Sequence, residues 1–509
     1  MIVKEGKTPQ RLPFDMSDIE RSPQGILRYT KLPKSLVAMF EATTKLKPNH
    51  EALVELGGER VTYQQFWDRS TRVAGGLLAQ GIEPGDRVAI NLPNSNNWAY
   101  AFFGVLMAGA VVVPVNTRFA EAEVEYIATD SGAKYIFTAD KPLPDGEPSV
   151  NRDRGQTDLA AIFYTSGTTG FPKGAMTTNE NFLANCETIK RCVFKEDEID
   201  MRNLISVPMF HVTGCNSQLL VAIMYGGTTI IMPAFDVQLF LSTIVDERVN
   251  VLISVPAIYW LAMNQKNFAD FDMSGVLHCT YGGAPTAAEV VGKIKAAWPN
   301  AQLGNGFGLT ETASVSTFLG HEFCEVRPET VGFAAPVIEL DVFEADPETG
   351  VGELMIRGQN VVSGYWNKPE QSAEAFRNGW LFTGDLARLD DEGYCQIVDR
   401  KKDMVNRGGE NVYCVEVEGA IVQHPDVFEV AVIGVPDTMM GEKVGAIIVP
   451  QPGTNPDPQD IRQFTKKLIA DFKVPQFITF RTEPLPRNAG GKVLKPELRK
   501  TVVWGEQLR

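Results

Sequence analysis

Short apolar runs that stop abruptly at Gly, Pro or Ser recur along this chain, and they limit its fold more than any other feature. LAAIFYTSG, TTIIMP, VLISVP and VLHCTYGG each read as a strand with little polar alternation. Such runs suit strands buried on both faces, as in a parallel sheet covered by helices. Between Arg60 and Arg118 the alternation is explicit: the amphipathic TYQQFWDRSTRVAGGLLAQG, the turn IEPGDR, then the apolar VAINLP. An α/β class with parallel-rich sheets follows. Ligands of such sheets gather at the loops beyond the strands' carboxyl ends, where this sequence places its richest Gly, Thr and Ser loops.

The 509 residues are too many for one core; at roughly 100–200 residues per domain, two to four domains are expected. Between Ala139 and Asp158 the polar, Pro- and Gly-bearing KPLPDGEPSVNRDRGQT has no periodicity and reads as an exposed loop. The texture changes after Asp385. YCQIVDR is strand-like, RKKD and NRGGEN are charged and turn-prone, and 412–450 with 461–480 reads as a small α+β unit. The boundary is therefore placed at 400–403, between an N-terminal domain of 1–399 and a C-terminal one of 404–509.

A net charge of −15 argues against nucleic acid as a partner. The seven cysteines include no CxxC pair, which fits buried free thiols in a reducing cytoplasm better than disulfides or a zinc cluster. The N-terminus, MIVKEGKTPQRLPFD, lacks the apolar run of a signal peptide. WAYAFFGVLMAGAVVVPV, from Trp98 to Val115, is broken by Gly104, Gly109 and Pro114, and reads as a buried helix running into a buried strand rather than a membrane span.

Directly after LAAIFY stands Thr165-Ser166-Gly167-Thr168-Thr169-Gly170-Phe171-Pro172-Lys173-Gly174. Its glycines let the backbone approach a ligand, its hydroxyls donate hydrogen bonds and its lysine adds a cation, which together suit a polyphosphate. It is not a Walker loop, because Gly174 rather than Ser or Thr follows Lys173. This string resembles the phosphate-binding motif of the adenylate-forming superfamily, which includes acyl-CoA synthetases, luciferase-like enzymes and peptide-synthetase adenylation domains. Further motifs follow in the family order, from the Arg60 region to the C-terminus.

By that resemblance, Asn305-Gly306-Phe307-Gly308-Leu309-Thr310-Glu311-Thr312 is the second core motif. Phe307, where relatives have Tyr or Trp, would stack on adenine, Thr310 would contact the α-phosphate and Glu311 would hold Mg²⁺, a hard cation that prefers oxygen donors. Gly283, Ala284 and Pro285, after the strand VLHCTY, match the segment lining the adenine pocket. Thr383-Gly384-Asp385 resembles the ribose motif, a carboxylate suiting two vicinal hydroxyls. Arg400 would contact the ribose and Lys402 matches the hinge position. Arg407, Gly408 and Gly409 resemble the loop that forms a thiol channel; relatives commonly carry Pro where Cys414 stands. Lys492, in Pro486-Arg487-Asn488-Ala489-Gly490-Gly491-Lys492, matches the catalytic lysine.

Amino-acid-activating relatives carry an Asp near Pro208–Cys215, where this chain has His211 among small or apolar residues. A substrate without an amino group is expected, because a buried cation needs a partner. The resemblance implies a large N-terminal adenylation domain of several subdomains, a small mobile C-terminal lid, ATP, Mg²⁺ and coenzyme A as cofactors, and a carboxylic acid as substrate. The activity expected is that of an acid–CoA ligase acting on a medium- or long-chain fatty acid, with an aryl or alicyclic acid, or a carrier-protein acceptor, as alternatives. A homodimer and weak peripheral membrane contact are the remaining family-level expectations.

Overall fold

Thr62 opens the first long helix, Tyr63–Ala79, by accepting the Gln65 N–H at its hydroxyl while Gln65 Oε1 accepts the Thr62 N–H. This reciprocal cap satisfies two donors that a helix start leaves open and contributes about 1 kcal/mol. Tyr63, Phe66, Ser70, Val73, Ala74 and Leu77 then fall on one buried stripe, at the spacing of an amphipathic helix. The Trp98–Val115 stretch forms a buried helix, Asn96–Met107, and a wholly buried strand, Val111–Pro114, as its apolar content requires.

A computed structural model describes residues 13–165, 172–194, 200–284, 286, 288–408, 410–487 and 493–508. The chain divides into two compact units. The larger comprises Met1–Asp341, Met355–Phe382 and Asp391–Tyr394; the smaller comprises Val342–Leu354, Thr383–Asp390 and Cys395–Arg509.

The larger unit is α/β. One five-stranded sheet runs Ala133–Thr138, Arg87–Asn91, Val111–Pro114, Leu159–Thr165, Lys173–Thr178, parallel except for the last hairpin. A nine-stranded sheet is parallel from Gln302–Phe307 through His278–Gly282, Val251–Ser254, Arg202–Ile205 and Thr228–Ile231 to Glu51–Glu55, with antiparallel strands at both edges. All four apolar runs that suggested buried strands lie in these sheets. The hairpin Ile19–Arg21 with Leu27–Tyr29, which has no counterpart in the sequence motifs, is fastened by Arg21 to Glu339 and by the Tyr29 N–H to Gln359 Oε1.

The smaller unit is α+β. It buries Val405, Val412, Val417, Ile421, Val432, Val444, Ile448 and Ile461 between the strands Val427–Asp437 and Gly441–Pro450 and the helices Cys414–Ile421 and Pro458–Lys466. Among the described residues no helix is long and apolar enough to cross a membrane. All seven cysteines are free and buried.

The Ala139–Asp158 stretch has no regular element, as expected, but its backbone is not simply exposed. Gly146 and Ser149 donate to Arg72 and Thr71 carbonyls on the first long helix, and Asn151 donates to the Met107 carbonyl. The segment lies against Gly75, where an added Cβ would stand 1.8 Å from the Glu147 carbonyl oxygen. Gly75→Ala is therefore expected to lower unfolding free energy by about 1–3 kcal/mol. Gly292→Ala, on a helix where a Cβ meets nothing within 4 Å, should raise it by about 0.5–1 kcal/mol. Urea denaturation of the two variants checks this; equal effects would contradict it.

Candidate active site

The phosphate-loop string is the connection of a hairpin. Strand Leu159–Thr165 pairs antiparallel with Lys173–Thr178, and Thr165 faces Lys173 as the last pair before the loop. Ser166, Gly167, Thr168, Thr169 and Gly170 lie outside the described residues. Lys173 is thus seated at a strand end, with its side chain on rigid backbone.

Strand Gln302–Phe307, holding Asn305 and Phe307, leads into the one-turn 3₁₀ segment Thr310–Thr312 that carries Glu311. Asn305 is buried and donates to the Thr330 carbonyl at 3.3 Å. Beyond the turn, Ala313 (φ 51°) and Ser314 (φ 124°) both have left-handed backbone. Such residues cost about 1–3 kcal/mol each unless their surroundings over-determine them, and here three fully buried asparagines do so. Asn216 Nδ2 donates to the Ala313 carbonyl at 2.9 Å. Asn185 Oδ1 accepts the Val315 N–H at 3.0 Å. Asn360 Nδ2 donates to the Thr312 and Val315 carbonyls at 2.8 and 2.7 Å. The Ser217 and Ser314 hydroxyls meet at 2.6 Å. At about 1 kcal/mol net per bond, these contacts offset the strain. Gly308 allows the turn to fold back, since a Cβ there would stand 1.4 Å from the Ser314 carbonyl oxygen.

Glu311 is also held from the side. The segment Gly364–Trp366 runs along strand Lys173–Thr178, with Met176 N–H donating to the Gly364 carbonyl and Trp366 N–H to the Gly174 carbonyl. This places the Tyr365 phenol 2.8 Å from Glu311 Oε1, to which it donates, and the Tyr365 ring 5.0 Å below the Lys173 ammonium. Burial first, and then the Glu311 carboxylate, pushes the Tyr365 phenol well above its ordinary value.

At the carboxyl edge of the nine-stranded sheet, Gly283 takes φ +77° and is exposed, with Ala284 partly buried beside it. Pro285 lies outside the described residues. His211 follows a turn of Pro208 and precedes the π-helical segment Thr213–Leu219. Its Nδ1 accepts the Thr213 N–H at 3.3 Å and lies equally close to the Thr213 hydroxyl.

In the smaller unit Asp385 and Arg400 are cross-strand partners, with Arg400 Nε 3.3 Å from the buried Asp385 carboxylate. Partial desolvation, then the Arg400 guanidinium, lowers the Lys402 ammonium to about 8. Arg407 lies 3.6 Å from Glu410, and Gly408 takes φ +64°; Gly409 and Lys492 lie outside the described residues. Asp399, buried beside this turn, accepts the N–H groups of Arg400 and Cys414. A proline at Cys414 would have no N–H for that bond. Lys495, three residues beyond Lys492, is partly buried and lies 2.7 Å from Glu418.

Comparison with known proteins gives the family. Residues 40–366 match the model of the AMP-binding enzyme family, and residues 416–492 match that of the AMP-binding enzyme C-terminal domain.

The chain belongs to the AMP-binding enzyme family.

It is 36% identical to a long-chain-fatty-acid–CoA ligase of Mycobacterium tuberculosis, over 92% of this chain and 98% of the relative. It is 34% identical to a feruloyl-CoA synthase of an Amycolatopsis species, over 89% and 96%. The O-succinylbenzoate coenzyme A synthetase of Bacillus subtilis, solved with ATP and magnesium ion, superposes with a TM-score of 0.81 at 26% identity, covering 91% of this chain and 99% of that one. This AMP-binding enzyme is an ATP-dependent, AMP-forming acid–CoA ligase of the adenylate-forming superfamily, with ATP and coenzyme A as substrates.

Within the AMP-binding enzyme, Lys173, Phe307, Thr310, Glu311, His211, Gly283 and Ala284 lie in the larger unit, and Asp385, Arg400, Lys402, Arg407 and Gly408 in the smaller. Sequence reasoning missed Asn185, Asn216, Asn360 and Tyr365. The available signal was a lone asparagine inside an apolar run (NFLANC, TGCNSQLL, GQNVV) and an aromatic pair after glycine in GYW.

Burial, opposed by Lys495 and the two backbone donors, raises Asp399 from its ordinary 3.8 to about 6. The folded state therefore holds this proton more tightly than the unfolded chain. Its stabilising contribution is complete below about pH 4 and is lost as pH rises through about 6. The unfolding free energy of wild type relative to Asp399→Asn, which cannot titrate, should fall between pH 4 and 7. Denaturation series across that range check it, and parallel curves would contradict it.

Proposed function

We propose that the enzyme activates an apolar carboxylic acid, a medium- or long-chain fatty acid, and transfers its acyl group to coenzyme A. The observation that carries this reading is the segment around His211. Val207, Met209, Val212 and Cys215 around it are buried, and Pro208–Cys215 contains no carboxylate to pair with an ammonium. Similarity to a long-chain-fatty-acid–CoA ligase supports the same reading. Similarity to a feruloyl-CoA synthase favours a second reading, an aryl acid.

The residue roles follow from the chemistry. A carboxylate is a poor electrophile because its leaving group would be oxide; its oxygen instead attacks the α-phosphorus of ATP and diphosphate leaves. Two anions must meet, so positive charge has to gather around them. Lys173 sits beside the phosphate loop for the β- and γ-phosphates, Phe307 offers its face to adenine, and Thr310 contacts the α-phosphate. Asp385 takes the ribose hydroxyls with Arg400 beside it. Glu311 suits Mg²⁺, being a hard oxygen donor with one oxygen already fixed by Tyr365; when bound, the ion would neutralise phosphate oxygens. Lys492 bridges the carboxylate and the α-phosphate. In the second half-reaction the thiol attacks the acyl carbon and AMP leaves, with the C-terminal domain turned about Lys402 so that Arg407, Gly408 and Gly409 reach the site. No protein nucleophile takes part.

Diphosphate release across fatty, aryl and alicyclic acids tests the substrate. Dodecanoate or hexadecanoate should exceed ferulate in kcat/KM by about tenfold, the discrimination a well-formed apolar pocket gives; the reverse order would establish the aryl reading. Lys492→Ala should lower adenylation by about 10²–10³-fold while thioester formation from supplied acyl-adenylate is largely retained. Equal loss of both half-reactions would contradict the role given to Lys492.

A further inference from the structure

Lys173 and Glu311 carry opposite charges, yet among the described residues no ion pair joins them to each other or to another side chain. Both are instead occupied by a single ring. The Glu311 carboxylate receives the hydrogen of the Tyr365 phenol at 2.8 Å, and the Lys173 ammonium stands 5.0 Å from the centre of the ring face. An aromatic face attracts a cation and a phenol edge donates to an anion, so one tyrosine satisfies both charges while separating them.

Tyr365 is itself rigid. It is 8% exposed, bridges to Ala175 on the strand that carries Lys173, and packs edge-on against Phe376 at 5.6 Å. Its N–H donates to Ser372 Oγ at 2.9 Å, and that hydroxyl also reaches the Lys368 carbonyl at 2.7 Å. The ring cannot follow either charge without breaking these contacts.

We propose that Tyr365 is a positioning residue that keeps Lys173 and Glu311 apart, so that the ammonium stays free for phosphate and the carboxylate for a divalent cation. The proposal rests on the reading of Glu311 as the residue that holds Mg²⁺. Without the spacer the two side chains would neutralise each other, and nucleotide and cation would have to break that pair before binding. With it, one carboxylate oxygen is fixed by the phenol and the lone pairs of the other remain available, as is usual for hydrogen-bonded metal-binding carboxylates.

The test is calorimetric titration of the full chain with ATP, in the absence of any acid, at a series of Mg²⁺ concentrations and in EDTA. Tyr365→Phe keeps the ring and removes only the hydroxyl. The Mg²⁺ concentration giving half of the tightening of ATP should rise by about 10-fold or more, with the affinity in EDTA changing less than about twofold. Tyr365→Leu, which also removes the ring face, should in addition weaken ATP binding in EDTA by about two- to fivefold. Glu311→Gln separates this proposal from the reading beneath it. If Glu311→Gln abolishes the Mg²⁺ response and Tyr365→Phe keeps the wild-type midpoint, the spacer role is overturned and the metal role of Glu311 stands. If Glu311→Gln responds to Mg²⁺ as wild type does, both fall.

Discussion

Three buried asparagine amides hold a left-handed turn that the chain would not otherwise adopt, and the placement of Thr310 and Glu311 depends on them. Asn185, Asn216 and Asn360 come from separate stretches of the larger unit and converge on the backbone of Thr312–Val315. A side-chain amide buried without a partner costs about 1–3 kcal/mol, so the turn and its clamps stabilise one another. Thr310 and Glu311 precede the strained pair by one residue, Thr312, and the Val362 N–H also donates to the Glu311 carbonyl. Rigid placement of this kind serves catalysis that works by orientation and fixed charge rather than by a covalent intermediate.

The second organising constraint is charge separation. At a separation of 4 Å and an effective dielectric of about 20, the Coulomb attraction of a bare ion pair is about 4 kcal/mol. Here Lys173 is seated on a strand end and Glu311 on a one-turn 3₁₀ segment, each in contact with the Tyr365 side chain. The chain as a whole is strongly acidic, at −15, so attraction for ATP has to be local. The π-helical segment that follows His211 contributes Asn216 and Ser217 to the strained turn, and so links the His211 loop to the turn behind Glu311 through side-chain contacts.

Much of the fold was legible because its strands are short, apolar and sharply punctuated, and because the first long helix is amphipathic. The family was legible for a similar reason: glycines, hydroxyls and a lysine crowded into one loop, with the other motifs following in order, have few other uses. The asparagine clamps and Tyr365 were not, since each is a single polar or aromatic residue whose partner lies far away in the chain. Asn360 and Thr312 illustrate it; nothing near either of them names the other. The Ala139–Asp158 segment reads as free loop because its ties are backbone hydrogen bonds, which leave no trace in side-chain pattern. The hairpin at Ile19–Tyr29 escaped notice because its fastening to Glu339 and Gln359 is likewise long-range.

At the centre of the account is direct attack of the substrate carboxylate on the α-phosphorus, with no acyl or phosphoryl group ever carried by the protein. Turnover with a carboxylic acid labelled with ¹⁸O in both oxygens, followed by mass spectrometry of the nucleotide and diphosphate products, tests it most directly. The account predicts one ¹⁸O in each AMP and none in diphosphate. Unlabelled AMP, or label in diphosphate, would contradict it.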